Sequence, residues 1–467
     1  MNFMKIMAVV SVSASLIASP VSVCGASPVP LRGVVEGFYG SPWTWEARQD
    51  MLAFCASHGM NAYIYAPKDD AYHRSQWRVP YPADKLSEIE RLAACAKRNH
   101  IRFVFAVSPG LDFRYAGRDG KRDRECLLEK LEAVYAIGVR DFAIFFDDIE
   151  EKNGRGQARL LNWLEKRLGK RHPDVSPLLA VPTEYTRQAM RSGDGKITPY
   201  TRSFSAALRE DIRVLFTGEG VCIGRLEEEQ LADANGIYGK KLGLWWNYPV
   251  NDYMEAKLAL GPVENLPTSE EIPAIFFNPM QYPEMSKIAL ATAAEYANAP
   301  RQYDSQRAWE RAIEEEYGSL APDMKVFAAH SQHLENSWAD MGRADGEEFR
   351  AHVDAFWKSW PDGPKARENW QILHNDAARM SCAADKLLEG LPEKKLDECR
   401  PQLMQMKRMA QAAGLALDLL KAGKGEKDSF SLAELKEQRE EIRKQEKRAA
   451  WSEQSVLRFI DEVLQAF

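Results

Sequence analysis

From residue 31 to about residue 297 the chain repeats one pattern. A short apolar run, rich in β-branched and aromatic residues, ends in a polar or Gly/Pro cluster, and an amphipathic stretch follows. The runs are Leu31–Tyr39, Ala62–Lys68, Arg102–Pro109, Phe142–Asp148, Leu178–Tyr185, Arg213–Gly218, Leu242–Tyr248 and Ala274–Pro279. Segments such as Phe142-Ala-Ile-Phe-Phe146 are apolar at every position, as strands buried on both faces are. Helical spacing falls on Trp43–His58, Ala83–Asn99, Glu125–Ile137, Gln157–Lys170 and Leu226–Asn235, whereas Met254–Pro273 is looser and reads as a loop. Eight strands alternating with helices over about 250 residues predict an α/β fold of the (β/α)8 TIM barrel type. The alternative is a doubly wound open sheet, which favours a Gly-rich phosphate turn after its first strand. Gly37-Phe38-Tyr39-Gly40 lacks that spacing.

Past Pro300 the strand-like runs vanish and helical periodicity takes over. The expected helices are Ala308–Tyr317, Met324–Met341, Glu347–Ser359, Lys365–Gly390, Pro401–Lys421, Leu432–Lys447 and Glu453–Phe467, an all-helical C-terminal domain. At the other end, Lys5, the apolar stretch Ile6–Ile17 and the small residues around Cys24-Gly25-Ala26 read as a secretory signal peptide. The organisation expected is a signal peptide over 1–26, a catalytic barrel over 27–300 and a helical bundle over 301–467, with a periplasmic or secreted location. No other stretch is apolar enough to span a membrane.

Composition narrows the partners. The net charge of -6 gives no overall basic footprint for nucleic acid. The seven cysteines contain no CxxC pair, so they form neither a zinc pattern nor a disulfide framework, although Cys382 and Cys399 could pair. The oligomeric state is not legible.

In barrels the site is built at the C-terminal ends of the strands. Those ends carry Glu36-Gly37, Lys68-Asp69-Asp70, Asp147-Asp148-Ile149-Glu150, Glu184-Tyr185, Glu219, Trp245-Trp246-Asn247, Asn251-Asp252 and Asn278. Such a ring of carboxylates, amides and aromatics suits a neutral polyhydroxylated ligand. None of the eight histidines falls at a strand end, which leaves hydrolytic zinc and His-partnered nucleophiles without ligands or bases. No cofactor is called for, and no metal is assigned. A Mg²⁺ site on Asp147, Asp148 and Glu150 is the competing use of the acids. Two neighbouring carboxylates cannot both ionise cheaply, so one of Asp147 and Asp148 should be raised. Neighbours on a strand point to opposite sides, so both reach one site only where the strand breaks down at its rim. The plainer reading is a pair of turn acids capping the next helix.

The motifs Arg32-Gly-Val-Val-Glu-Gly-Phe-Tyr-Gly40, Tyr65-Ala-Pro-Lys-Asp-Asp70, Ala106-Val-Ser-Pro-Gly110, Phe145-Phe-Asp-Asp-Ile-Glu150, Pro182-Thr-Glu-Tyr185, Trp245-Trp-Asn-Tyr-Pro-Val-Asn-Asp252 and Asn278-Pro-Met280 occur in order. Together they resemble glycoside hydrolase family 84, the β-N-acetylglucosaminidases that include O-GlcNAcases. The resemblance implies an exo-acting, retaining enzyme that releases terminal β-linked GlcNAc from glycans or glycoproteins. Its nucleophile is the substrate's own 2-acetamido oxygen, and its intermediate an oxazoline. By that resemblance Asp147 polarises the acetamide N–H, and Asp148 is the general acid and then the base. Gly37 would lend its backbone to a sugar hydroxyl, and Lys68, Asp252 and Asn278 would bond ring hydroxyls. Tyr185 and Asn247 would sit by the acetamide, and Trp245 would wall the pocket, with Trp246 packing in the scaffold. Val181 stands where some relatives have Cys. Bacterial relatives usually carry an α/β domain before the barrel, which the short segment ahead of Leu31 leaves no room for. The alternatives kept open are a non-catalytic glycan-binding barrel and a metal-dependent barrel hydrolase.

Overall fold

The computed structural model describes residues 27–268, 271–422 and 428–467, with side chains 428–430 excepted. The expected signal peptide lies outside the described residues. Eight parallel strands close into a barrel: β1 (Leu31–Glu36), β2 (Ala62–Tyr65), β3 (Arg102–Val107), β4 (Asp141–Phe145), β5 (Leu179–Val181), β6 (Arg213–Phe216), β7 (Gly243–Trp246) and β8 (Ala274–Phe277). The circle closes where Leu31 pairs with Ala274 and Val34 with Phe277. Each strand starts within one residue of its apolar run but stops earlier, because the polar tails of the runs are the loops of the mouth.

The barrel helices are α1 (Trp45–Ser57), α2 (Ala83–Arg98), α3 (Gly117–Ala136), α4 (Gly154–Arg171), α5 (Pro199–Ala207), α6 (Glu228–Tyr238) and α7 (Pro283–Asn298). Helix α5 is short and was not expected from the sequence. Thr198 caps it through Thr201 N–H, and Pro199 opens it. No helix forms between β7 and β8 among the described residues.

That gap is where the helical region docks. It comprises α8 (Ser305–Tyr317), α9 (Ala321–Ala329), α10 (Glu347–Ser359), α11 (Ala366–Gly390), α12 (Glu393–Ala422), α13 (Asp428–Gln445) and α14 (Arg458–Ala466), the last preceded by a π-helical turn at Glu453–Leu457. Lys257 of the helix-free loop is buried between Asp345 (2.6 Å) and Glu453 (2.7 Å). Backbone groups of that loop bond Ser331 and Ala450, and Trp309 Nε1 donates to Leu260 O at 2.7 Å.

Two expected helices differ. Met324–Met341 is not one helix: α9 stops at Ala329, and a two-stranded hairpin follows, β9 (Leu334–Glu335) and β10 (Asp340–Met341). Short polar side chains capture the backbone there. Asp345 accepts from Gln332 and His333 N–H, and Asn336 accepts from Trp338 and Ala339 N–H. Helix α12 starts at Glu393, so Pro401 lies inside it rather than at its start. Cys382 and Cys399 are free thiols, the first exposed on α11 and the second buried on α12. No helix among the described residues is long and apolar enough to cross a membrane.

Candidate active site

Strand side chains alternate, and the inward set is apolar: Leu31 and Val35, Ala62 and Ile64, Ala143 and Phe145, Leu179 and Val181, Ala274 and Phe276. Continuing the same phase past the strand ends reaches Gly37, Lys68, Asp147, Tyr185 and Asn278, and past Trp245 it reaches Asn247. These residues, with Asp148 and Asp252, line one pocket of about 410 Å³ at the mouth of the barrel. All nine residues singled out in the sequence are therefore brought together. The opposite phase sends Glu36 outward, where it is fully buried against Arg48 and the Tyr63 hydroxyl. Other strand-end acids are also engaged elsewhere. Asp70 accepts from Tyr65 and Tyr81, Glu184 from Thr201, and Glu219 from Arg187. The expected ring of carboxylates thus reduces to Asp147, Asp148 and Asp252 in the pocket.

Asp147 and Asp148 follow β4 but are held differently. Asp147 keeps the inward phase and ion-pairs through Oδ2 with buried Lys68. Its other oxygen, Oδ1, is buried with no partner. Asp148 has a φ of 54°, a left-handed conformation that costs a non-glycine residue about 1–2 kcal/mol. That turn is what brings the out-of-phase neighbour to the same pocket. The Tyr185 hydroxyl donates to Asp148 Oδ1 at 2.7 Å, and the Tyr39 hydroxyl donates to Oδ2 at 2.8 Å. Arg74 donates to the Tyr39 hydroxyl and, at 3.1 Å, to the Asp148 carbonyl.

The expectation of a raised carboxyl is not met at Asp148. Burial pushes it up, but the Lys68 charge, the hydroxyls of Tyr185 and Tyr39 and the Arg74 charge together hold it below the usual carboxylate value. Asp252 is the raised acid of the pocket. Burial raises it, the Tyr39 N–H it accepts at 2.8 Å works against that, and the charge of Asp148 adds to the rise.

The remaining residues form an amide and indole wall. Asn247 Oδ1 accepts from Trp245 Nε1 (2.8 Å) and from Asn278 Nδ2 (3.0 Å), and Asn278 Oδ1 accepts from Gly37 N–H (3.2 Å). Gly37 is demanded by packing rather than by a ligand: a Cβ there would lie 2.3 Å from the Trp245 ring. Lys68 Nζ sits 5.8 Å from the ring centres of both Tyr39 and Trp245. Trp246 is buried in the scaffold. Sequence reasoning gave no role to Tyr39 or Arg74, and it missed Cys222, Tyr253 and Trp338. Trp338 reaches the pocket from the β9–β10 hairpin, half exposed, with its ring 4.9 Å from that of Tyr253. No motif marks it, because its place depends on how the helical region docks. Among the described residues no three of His, Cys, Asp and Glu are grouped to hold a metal ion, and Asp147, Asp148 and Glu150 form no such group.

Comparison with known proteins agrees with this geometry. Residues 32–329 match the family described as β-N-acetylglucosaminidase, and residues 348–460 match the hyaluronidase post-catalytic domain-like family. The protein O-GlcNAcase of Mus musculus is 31% identical over 293 residues, covering 60% of this chain and 31% of its own length. That of Rattus norvegicus is 31% identical over 280 residues, covering 57% and 30%. The chain thus spans about a third of the length of these curated relatives. The structure of CpGH84B superposes with a TM-score of 0.84 at 36% identity, over 93% of this chain and 76% of that one. An O-GlcNAc hydrolase of Thermobaculum terrenum, solved as a mutant, gives 0.82 at 26% identity over 93% and 94%. With the barrel matched along its whole length, the chain belongs to the β-N-acetylglucosaminidases of glycoside hydrolase family 84.

Proposed function

We infer that the chain is an exported, exo-acting, retaining β-N-acetylglucosaminidase that releases terminal β-linked GlcNAc from glycans or glycoproteins. The observation that carries the mechanism is the unlike treatment of two adjacent carboxylates. A two-carboxylate retaining scheme needs a nucleophile and an acid about 5–5.5 Å apart, flanking the scissile bond. Asp147 and Asp148 leave one strand end together and approach a sugar from the same side. The nucleophile is then the substrate's acetamido oxygen, which attacks the anomeric carbon and forms an oxazoline.

Asp147 is paired with Lys68 through Oδ2, and its unpartnered Oδ1 accepts the acetamide N–H. That bond draws electron density onto the acetamido oxygen as it attacks. Asp148 gives its proton to the leaving oxygen and takes one back from the water that opens the oxazoline. A sugar that displaces the hydroxyl of Tyr39 or Tyr185 from Asp148 removes a bond that holds the carboxyl down, and it deepens the burial. Both changes push the carboxyl toward the protonated form the first step uses. Trp245 walls the sugar, and the Gly37 carbonyl, Lys68, Asp252 and Asn278 bond its ring hydroxyls. Asn247 and Tyr185 frame the acetamide.

A stable thiazoline mimic of the oxazoline tests this reading. Strong competitive inhibition of 4-nitrophenyl β-N-acetylglucosaminide hydrolysis is expected, and insensitivity would sink substrate assistance. Product stereochemistry by NMR should show the β-anomer released first. Export is tested by fractionating cells that express the full chain, with loss of residues 1–26 expected in the mature protein.

A further inference from the structure

A left-handed residue such as Asp148 persists only where its surroundings over-determine it. The loop it opens, residues 148–153, is pinned on both flanks. Toward β3, Ile149 lies against Gly110, where a Cβ would come 2.7 Å from Ile149 Cδ1. Toward β5, the exposed Lys152 reaches back and donates from Nζ to Glu184 Oε1 at 2.9 Å. The loop ends on α5: a Cβ at Gly154 would lie 2.3 Å from the Tyr200 carbonyl oxygen.

Glu184 is only 2% exposed. Its other oxygen, Oε2, accepts from the Thr198 hydroxyl and, at 2.7 Å, from that of Thr201, both at the start of α5. Lys152 is its one cationic partner among the described residues. The next residue is Tyr185, whose hydroxyl donates to Asp148 Oδ1 at 2.7 Å. These contacts close a ring. It runs from Asp148 along the chain to Lys152, across the ion pair to Glu184, one residue on to Tyr185, and across the hydrogen bond back to Asp148. Neither Lys152 nor Glu184 lines the pocket. A lysine this exposed adds little to stability through its charge alone. What it supplies is a partner for a buried carboxylate and a fixed end for the loop that carries Asp148.

We propose that Lys152 and Glu184 are positioning residues of the reaction, whose ion pair holds the β4 and β5 loops in register so that Asp148 and Tyr185 meet. The inference rests on the reading of Asp148 as the acid and base. Both residues act through the Asp148–Tyr185 bond and touch no substrate.

The test measures kcat and KM of the full chain across pH, on β-N-acetylglucosaminides with an alkyl and with a 4-nitrophenyl leaving group. Lys152→Met should lower kcat roughly tenfold on the alkyl substrate and about twofold on the 4-nitrophenyl one, with KM little changed. Lys152→Arg should restore most of the loss, and Glu184→Gln, which keeps the volume and removes the charge, should reproduce it. The Tyr185 hydroxyl helps hold the Asp148 carboxyl down, so loosening that bond lets the carboxyl rise and keep its proton to higher pH. The alkaline limb of the rate profile then moves up. The other groups around Asp148 (Asp147, Lys68, Arg74, Tyr39, Cys222 and Asp252) are unaltered by these variants, so the movement reports Tyr185. In a Tyr185→Phe background Lys152→Met should move the limb no further, because the bond it acts through is already gone. Equal losses on both substrates, an unmoved limb, or additive effects of Lys152→Met and Tyr185→Phe overturn the proposal. Asp148→Asn measured beside them separates the two readings. Without leaving-group dependence in Asp148→Asn, the acid assignment fails and the ring with it. With that dependence in Asp148→Asn but none in Lys152→Met, only the ring fails.

Discussion

The barrel mouth and the helical region reach the same pocket by different routes. At the mouth, one period of two fixes which residues face inward, from Phe145 to Asp147 and from Phe276 to Asn278. The helical region contributes Trp338 from a hairpin between helices, held by Asn336 and by the bridge from Asp340 to Ile223. Positions set by strand phase include the buried ion pair of Lys68 and Asp147. The position set by docking is half exposed and adds an aromatic ring beside Tyr253 at the pocket. The ionisable groups of the pocket therefore sit with the barrel, and the helical region adds an indole at its rim.

Substitutions can break that division. The largest effect is expected for Asp148→Asn, which should lower kcat/KM by about 10²–10⁴-fold on poor leaving groups and far less on 4-nitrophenyl substrates. Equal losses on both would remove its acid role. Lys68→Met strands the Asp147 charge in a buried site, with a destabilisation of about 3–5 kcal/mol readable by urea unfolding. Asp147→Asn in the same background should recover much of that loss without restoring activity.

Arg74→Gln should cost about tenfold in kcat with poor leaving groups, because Asp148 loses the bond to its strained backbone and Tyr39 loses its clamp. The sign of the pH effect follows from the charge. With Arg74 gone the Asp148 carboxyl rises, so it keeps its proton to higher pH and the alkaline limb of the rate profile moves up. An unmoved limb would make Arg74 merely structural. Trp338→Ala should raise KM roughly two- to tenfold for large aglycones and spare the 4-nitrophenyl substrate. An equal effect on both would place Trp338 with the sugar instead.

The smallest effect concerns the seam between the regions. Glu398 of α12 accepts from Met285 N–H of α7 at 2.9 Å, and burial pushes its carboxyl up to about 7. A raised carboxyl favours the fold fully below its unfolded value and loses that contribution as pH rises through the folded one. Glu398→Gln should therefore raise Tm by a few degrees at pH 8 and leave it unchanged near pH 4, measured by calorimetry.

How much could be read in advance follows from the same physics. The eight strands and their order were legible, because strands buried on both faces leave an unbroken apolar signature and the helices between them are amphipathic. The mouth residues were legible because they sit in phase with that signature or inside family motifs. Helix α5, the break after Ala329 and the continuation of α12 through Pro401 were not. Short polar side chains and long-range packing decide those, and local periodicity carries no record of either. The sequence by itself determined the barrel, the helical tail and the adjacency of Asp147 and Asp148. Only the tertiary structure decided that Asp148 turns through a left-handed residue to join its neighbour. It also decided that Lys68 and Arg74 divide the pair's electrostatics, and that Trp338 arrives from a distant hairpin. Adjacency is a property of the chain, whereas orientation and local field depend on everything packed around it.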